Sequence, residues 1–469
     1  MNDIEFIETL KQKRNACDYS QSRLAQELQI SRQNLNEIEN GKTKASKEMK
    51  HILLHYLDYC NCTQPFTLTI DYLRVRFPTT DALEIIKNVL AMKSEYFIHE
   101  DYGMFGYEEQ YIYGAISVNA SKDSSMGVLL ELRGMGCRNL EYVLQARGID
   151  WYYFLSSCID YQGVFKRIDL AVNDMGGLLD IEILRERYYA NKVWKRSRTH
   201  EAVDSGKLSG THGDTAKTFY IGSKNSSIYF CLYEKEKEQK GKGIKTDIKN
   251  RFEIRLKSGK AEQTIEQLVF SRNPEQTIAS LILTQIDFPV YILWDIFLDN
   301  VMTSLPFIMT PVAVNMDKTK RWLERQVMPS LLMIKEIEKQ TGANYLEEID
   351  RHTRLTEKQE LKIKQMTTDI ADMIEKDTAA PQGNDGIFLF LQKICNKTAT
   401  CVQIWCEKRK SNFFENRSLN RWLLSLYDVK EETIFNFNLT IRSFHSLYGA
   451  KKIFYSTVGS YGVAWVVRG

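Results

Sequence analysis

The 469-residue sequence contains no uninterrupted apolar run of bilayer length. Its most hydrophobic stretch, Leu281 to Met302, is broken by Asp287, Pro289, Asp295 and Asp299, residues that a spanning helix rarely carries, and it reads instead as a pair of core helices. The opening Met1-Asn2-Asp3-Ile4-Glu5 has no basic segment leading into an apolar one, so a secretory signal is not expected. Nine cysteines, odd in number and irregularly spaced, argue against a disulfide framework and for a reducing compartment, the cytoplasm. Cys60-x-Cys62 lies near His51 and His55 but lacks the second ligand pair of a zinc finger, and ordinary helix residues are the preferred reading there. A Gly-x-x-x-x-Gly-Lys-Ser/Thr phosphate loop is also missing, which argues against a built-in nucleotide-driven motor. Bulk charge is nearly absent at +3, so any field for nucleic acid has to be local.

What is present is the composition of a folded protein, 43% apolar and 26% charged, in a chain long enough for two or three domains. Charge is concentrated locally. From Lys235 to Lys260 there are ten Lys or Arg against four acids, and Lys192, Lys195, Arg196 and Arg198 form a second basic cluster. Either cluster alone reads equally well as a solvated loop.

The first sixty residues carry two helix starts in register. Ser20 caps a short amphipathic segment with Leu24, Ala25 and Leu28 turned inward, and Gln29-Ile30 makes a tight turn. Ser31 then caps Arg32 to Asn40, with Leu35 and Ile38 inward, and Gly41 stops it. In such a unit Arg32, Gln33, Asn34 and Asn36 face solvent, where they can pair with base edges in a major groove, and Lys42 and Lys44 can hold phosphates. The stretch Ser31-Arg-Gln-Asn-Leu-Asn-Glu-Ile-Glu-Asn-Gly41 resembles helix-turn-helix domains of the Cro and lambda-repressor type, over roughly residues 5–58. Met1 to Cys62 balances nine basic against nine acidic residues, so affinity is expected to be modest, and a helical hairpin that does not bind DNA is the alternative.

From Phe66 to Lys260 the apolar pattern changes to period two. Strands are predicted at 66–77, 111–118, 127–133, 165–173, 218–223, 227–234 and 251–257, with helices at 82–92, 139–145, 151–160 and 180–189. This order predicts an α+β domain with a mainly antiparallel sheet. Several strands are apolar on one face and charged on the other. Leu130 and Leu132 alternate with Glu131 and Arg133, Ile168, Leu170 and Val172 with Arg167, Asp169 and Asn173, and Phe252, Ile254 and Leu256 with Arg251, Glu253 and Arg255. Tyr229, Cys231 and Tyr233 share one side of a further strand.

If the apolar faces pack on helices, the other face gathers carboxylates, arginines and a tyrosine, a set suited to phosphodiester chemistry. Neighbouring carboxylates repel unless a cation lies among them, and hard oxygen donors favour Mg²⁺ or Mn²⁺. Arginines hold a phosphate and stabilise transition-state charge, and a tyrosine hydroxyl can attack phosphorus. The pattern equally describes a water-facing sheet with opposite charges paired across strands.

Arg167-Ile-Asp-Leu-Ala-Val-Asn-Asp174, Phe219-Tyr-Ile-Gly-Ser223, Ile228-Tyr-Phe-Cys-Leu-Tyr-Glu-Lys235 and Arg251-Phe-Glu-Ile-Arg-Leu256 together resemble the replication initiation factor family. That family includes plasmid rolling-circle initiators of the Rep_trans type and MobT-type relaxases of integrative and conjugative elements. Gly134-Met-Gly-Cys-Arg138 and Arg321-Trp-Leu-Glu-Arg-Gln-Val-Met-Pro329 resemble the conjugative branch, as does a helix-turn-helix placed before such a domain. The resemblance, over roughly residues 65–345, implies a metal-dependent tyrosine nickase with its nucleophile in the Tyr-Glu-Lys motif. On that match Tyr233 is the nucleophile, Arg167 and Arg255 assist, and Asp169, Glu253 and, with less support, Glu131 hold Mg²⁺ or Mn²⁺. Tyr229 has the same parity as Tyr233, so the choice rests on the motif, and Asp174 needs a strand end or bulge to join the site.

The seven histidines form no His-hydrophobic-His motif, which separates the chain from most other relaxases and initiators. From Ala261 to about Ala379 helical periodicity dominates, as buttresses for the sheet, and Thr378 to Gly386 reads as a linker. The expected organisation is multidomain. A helix-turn-helix over 1–62 precedes the α+β nickase domain over 65–345, a charged helix and linker over 346–380, and an unassigned extension over 384–469 with Cys395, Cys401 and Cys406. The resemblance implies nicking at an origin of transfer, a 5′-phosphotyrosine and rolling-circle synthesis, with double- and single-stranded DNA, a host helicase and a coupling protein as partners. A plasmid or phage replication initiator, a helix-turn-helix regulator with an inactive nickase domain, and a metal nuclease using water are the alternatives. The oligomeric state is left open.

Overall fold

Four helices, α1 (Asp3–Ala16), α2 (Gln21–Glu27), α3 (Arg32–Glu39) and α4 (Lys47–Cys60), open the computed structural model, which describes residues 2–205, 216–375, 453–458 and 461–466. Each starts at a side chain that accepts a backbone N–H the helix leaves unpaired: Asn2 from Glu5, Ser20 from Arg23, Ser31 from Asn34 and Ser46 from Met49. The turn between α2 and α3 places Gln29 in the left-handed region at φ 55°, and Gly41 at φ 68° ends α3. Leu10, Leu24, Leu35, Leu53 and Leu57 are fully buried between the four helices.

A buried acid locks this bundle. Glu39 of α3 is 2% exposed and accepts from Arg14 Nε of α1 at 2.7 Å and from Gln21 Nε2 of α2 at 2.6 Å. Glu39→Ala strands the Arg14 guanidinium, whose side chain is only 15% exposed, and is expected to destabilise the bundle by about 3 kcal/mol. Hydrogen exchange on the full chain checks this. The α3 amides should open at a free energy lower by that amount, and unchanged protection would refute it.

Beyond α4 come strands β1 (Phe66–Phe77), β2 (Ile98–Glu100), β3 (Glu109–Tyr113), β4 (Ile116–Ala120), β5 (Val128–Arg133) and β6 (Val164–Asp174). These are followed by β7 (Trp194–Lys195), β8 (His200–Ser205), β9 (Ala216–Ile221), β10 (Ile228–Tyr233), β11 (Asn250–Lys257) and β12 (Ile286–Asp287). Ten of them form one sheet in the order β2-β3-β4-β5-β1-β6-β11-β10-β9-β8, and every neighbouring pair is antiparallel. β7 and β12 pair separately. The strand predicted over 111–118 is in fact the end of β3, a turn with Gly114 at φ 56°, and the start of β4. Alternation continues across so short a turn, which hides the reversal from the sequence pattern.

One face of the sheet is fully apolar, with Leu68, Leu73, Leu130, Ile168, Leu170, Val172, Leu232, Phe252, Ile254 and Leu256 all at 0% exposure. Helices α5 (Ala82–Asn88), α6 (Met135–Ala146), α7 (Trp151–Asp160), α8 (Ile181–Tyr189), α9 (Lys235–Gly241), α10 (Gly259–Ser271), α11 (Pro274–Leu283) and α12 (Ile292–Thr303) complete this domain. The stretch Leu281–Met302, expected to be a pair of core helices, holds only the end of α11, then β12 and then α12, and Trp294 and Phe297 of α12 pack on Phe252 at ring distances of 6.1 and 5.7 Å. In α6 a Cβ on Gly136 would lie 2.5 Å from the Ala115 carbonyl oxygen, so only glycine allows this helix so close to β4.

The helix-turn-helix domain docks through α4. Glu48 pairs with Arg187, Lys47 with Glu186, His51 and His55 meet Asp180, and Asn300 Nδ2 donates to the Tyr59 hydroxyl at 2.9 Å.

Helices α13 (Asp317–Trp322), α14 (Met328–Thr341) and α15 (Tyr345–His352) bury no side chain, so this stretch does not buttress the sheet as expected. The helical periodicity expected here is interrupted by a π-helical turn at Leu323–Val327. The charged run beyond does return to the sheet. Gln365 in α16 (Glu357–Thr367) is buried and donates to the carbonyls of Tyr96 and Ile112, and Met373 in α17 (Ile370–Met373) is buried as well. Among the described residues no helix is long and apolar enough to cross a membrane. The chain divides into two compact units, residues 1–387 and 388–469, and in the second a hairpin pairs β13 (Ile453–Val458) with β14 (Tyr461–Val466). The predicted linker at 378–386 and the three cysteines of the extension lie outside the described residues.

Candidate active site

The second face of the sheet is polar, and strand register sets its rows. Glu131, Arg74, Arg167 and Lys257 lie opposite one another across β5, β1, β6 and β11. The next row is Arg133, Tyr72, Asp169, Arg255 and Tyr229, reaching β10. Glu253 then sits beside Cys231, and Arg251 lies between Asn173 and Tyr233. Antiparallel neighbours on one face have Cβ atoms about 5 Å apart, so these side chains are in contact range.

In depth the face has two layers. The carboxylate side chains of Glu131, Asp169 and Glu253 are 1, 5 and 3% exposed. The arginines paired to them keep their ends in water: Arg74 24%, Arg133 54%, Arg167 23% and Arg255 21%. Acids lie beneath and guanidinium groups above, so an approaching polyanion meets positive charge first.

Each acid is held at both oxygens. Asp169 receives Arg167 Nε and Nη2 at 2.8 and 2.6 Å in a bidentate pair. Burial pushes its carboxyl above the usual range, Arg167 opposes this, and the charge of Glu253 adds to the rise. Glu253 Oε2 takes Arg255 Nε and Nη2 at 2.9 and 2.6 Å, while Oε1 accepts the Tyr233 hydroxyl at 2.6 Å. Glu131 accepts from Arg74, Arg133 and the Tyr72 hydroxyl.

Tyr233 ends β10 at 9% exposure. Burial first, then the Glu253 charge, push its phenol well above 10. Lys235 Nζ lies 3.4 Å from the same oxygen. Tyr229 shares the face, with the Arg255 guanidinium 5.8 Å and Lys257 Nζ 5.3 Å from its ring centre. Parity alone left these two tyrosines undivided and the motif chose Tyr233, whose hydroxyl donates to Glu253.

For a divalent ion, Asp169 and Glu253 provide hard oxygen donors on adjacent strands, and Arg255 already bridges them, with Nε 3.6 Å from Asp169 Oδ2. A shared positive charge between two buried acids is what a metal would supply, so these two residues fit the ion. Glu131 lies two strands from Asp169, with Tyr72 and Arg74 between, and so does not share that position. Asp174 does not join the face. It is fully buried and accepts from the backbone N–H groups of Gly177, Leu178 and Leu179 and from Asn250, which anchors the loop after β6.

Three site residues were not singled out from the sequence: Asp71, Tyr72 and Arg74. The register of β1 slips by one between Ile70 and Tyr72, so Asp71 is the extra residue of a bulge. Up to the bulge odd positions such as Thr67 and Thr69 face the site, and after it Tyr72 and Arg74 do. The signal was present as a phase change in the polar alternation of Thr67-Leu-Thr-Ile-Asp-Tyr-Leu-Arg74. Asp71 pairs with Arg251 at 2.9 Å, and although burial works against it, Arg251, Lys235 and Arg138 hold its carboxyl below the usual range.

In the N-terminal domain Arg32, Gln33 and Asn36 of α3 are exposed and Asn34 half-buried, with Lys42 and Lys44 exposed just beyond. Gln33 Nε2 donates to Glu37 at 3.0 Å, Asn36 accepts from Asn40 at 3.0 Å, and Lys44 pairs with Asp3 at 3.5 Å.

Comparison with known proteins agrees with this architecture. Residues 163–349 match the replication initiation factor family, residues 67–157 the N-terminal domain of rolling circle replication initiation proteins, and residues 10–59 a helix-turn-helix family. The candidate DNA relaxase NicK of Bacillus subtilis (strain 168) is 30% identical over 328 residues, which span 66% of this chain and 92% of NicK. A solved rolling circle replication initiator protein from Geobacillus stearothermophilus is 23% identical, with a TM-score of 0.44 over 52% of this chain and 99% of its own. With a relative matched over nearly its whole length and family matches contiguous along the polar sheet, this chain belongs to the replication initiation factor family, with a helix-turn-helix at its N-terminus.

Proposed function

We propose that the protein nicks one DNA strand at an origin through Tyr233 and starts rolling-circle transfer of a mobile element. The observation that carries this reading is the Tyr233 hydroxyl, buried among opposite charges and donating at 2.6 Å to Glu253. A phenol whose pKa lies above 10 is less than about one part in a thousand ionised at pH 7, so attack on phosphorus needs a base in the transition state. Glu253 Oε1 is the acceptor in place.

As the Tyr233 oxygen forms its bond to phosphorus, the proton moves to Glu253 Oε1 and the bond from phosphorus to the 3′-oxygen breaks. The products are a 5′-phosphotyrosine and, once protonated, a free 3′-hydroxyl that can prime synthesis. Arg255 and Arg167, half-buried above the acids, bind the scissile phosphate and offset charge gathering on its oxygens. A Mg²⁺ or Mn²⁺ held by Asp169 and Glu253 would supply Lewis acidity at that phosphate. Without a phosphate-loop motor, strand separation is left to a host helicase. Supporting this reading, the relative matched over most of its length is described as a candidate DNA relaxase.

The test is incubation with Mg²⁺ or Mn²⁺ and labelled single-stranded DNA from the candidate origin of its own element, followed by a search for a denaturant-resistant adduct. Cleavage without an adduct would indicate a water nucleophile, and duplex binding without cleavage a regulator.

Duplex reading is assigned to α3. Gln33→Ala is expected to cost about 1–3 kcal/mol on the preferred site and to relax base preference at one position. Lys42→Ala should weaken all sequences alike and lower the salt slope by about one. Binding isotherms at several salt concentrations decide this, and equal effects of Gln33→Ala on every sequence would remove it from base readout.

A further inference from the structure

His51 and His55 stand one turn apart on α4, with ring centroids 5.6 Å apart and planes 11° from parallel. Asp180, 7% exposed at the N-cap of α8, meets both: its Oδ2 is hydrogen-bonded to His51 Nδ1 and lies 3.3 Å from His55 Nε2. The three candidate ligand atoms lie within 4.8 Å of one another, and among the described residues no other trio of His, Cys, Asp or Glu is so arranged. The nicking reaction uses none of these residues.

We propose that His51, His55 and Asp180 bind a transition-metal dication of the Zn²⁺ class, which clasps the helix-turn-helix domain to the sheet domain. Two imidazoles and a carboxylate select Zn²⁺ over Mg²⁺, because nitrogen donors suit the softer ion. The remaining polar atoms of two ligands are already occupied. His55 Nδ1–H donates to the Gly177 carbonyl, which leaves the Nε2 lone pair directed at the trio. Asp180 Oδ1 accepts from Glu182 N and Ile183 N at 2.9 and 3.0 Å, which leaves Oδ2. Outer partners that fix tautomer and orientation in this way are the usual surroundings of a metal ligand.

A cavity of about 150 Å³ borders the site on the His55 side, lined among others by Gly177, Asp58, Glu234 and Lys249. The His51 and His55 side chains keep 32 and 29% exposure, so an ion has a way in. Cys60 takes no part, its Sγ lying 3.5 Å from the Tyr19 hydroxyl. Glu234 in the cavity wall is the chain neighbour of Tyr233, so the clasp would fix the duplex-reading helices relative to the strand end that carries the nucleophile.

The test uses the full chain, stripped with chelator, dialysed and titrated with Zn²⁺ in excess Mg²⁺ without DNA. One Zn²⁺ per chain is expected. His51→Gln, His55→Gln and Asp180→Asn, the last of which keeps a capping acceptor, should weaken uptake by at least the roughly 10–100-fold that loss of an outer partner costs. Co²⁺ in the same site should show d–d absorption without a thiolate charge-transfer band. No uptake by the unsubstituted chain, uptake unchanged in all three variants, or a thiolate band would each overturn the proposal, the first leaving only an ion-paired cluster.

Discussion

Tyr233→Phe is expected to abolish the covalent protein–DNA adduct and to lower nicking by roughly 10⁴–10⁶-fold, the scale of losing a nucleophile outright. The fold should survive. The ring still fills its place, and Glu253 retains Arg255 at 2.6 Å after losing the hydroxyl. Tyr229→Phe is the matched control, because Tyr229 lies on the same strand face beside Arg255 but is outside the Tyr-Glu-Lys motif, and its adduct should persist. Denaturing gels of end-labelled origin DNA check both variants. An adduct that survives in Tyr233→Phe and disappears in Tyr229→Phe would transfer the nucleophile to Tyr229.

Glu253→Gln should slow single-turnover nicking by about 10²–10⁴-fold, the range for loss of a general base. An amide oxygen can still accept from Tyr233, so hydroxyl geometry is largely kept while basicity is lost. Binding of single-stranded DNA should hold or tighten, since the change removes negative charge from beneath Arg255. A rate defect without a binding defect therefore marks a role in the chemical step. Equal losses in binding and rate would instead reduce Glu253 to a support for Arg255, and an unchanged rate would remove it from the mechanism.

Much of the site was legible because a strand fixes side-chain direction locally. Arg167 with Asp169, and Glu253 with Arg255, were placed on one face by parity alone, and the structure keeps each pair within 2.9 Å. Most of the predicted strands in the middle of the chain followed the same local rule, but the turn at Gly114 continued the alternation and the two edge strands β2 and β8 were not predicted. Parity could not say whether the polar face was water or site. Nor could it find Arg74 and Tyr72, since one inserted residue at Asp71 reverses which positions face inward.

By itself, then, the sequence determined what depends on near neighbours in the chain: the serine caps and terminal glycine of the helix-turn-helix, the two-faced strands, and the motif that marks Tyr233. Tertiary structure alone decided what depends on register between distant strands. Cys231 opposite Glu253 brings the Tyr233 hydroxyl to that carboxylate from 20 residues away, and the fold brings His51 to Asp180 from 129 away. Such pairings are set by which strands lie side by side and by how α4 docks on α8. Those are packing outcomes of the whole apolar core, and no local window of sequence contains them.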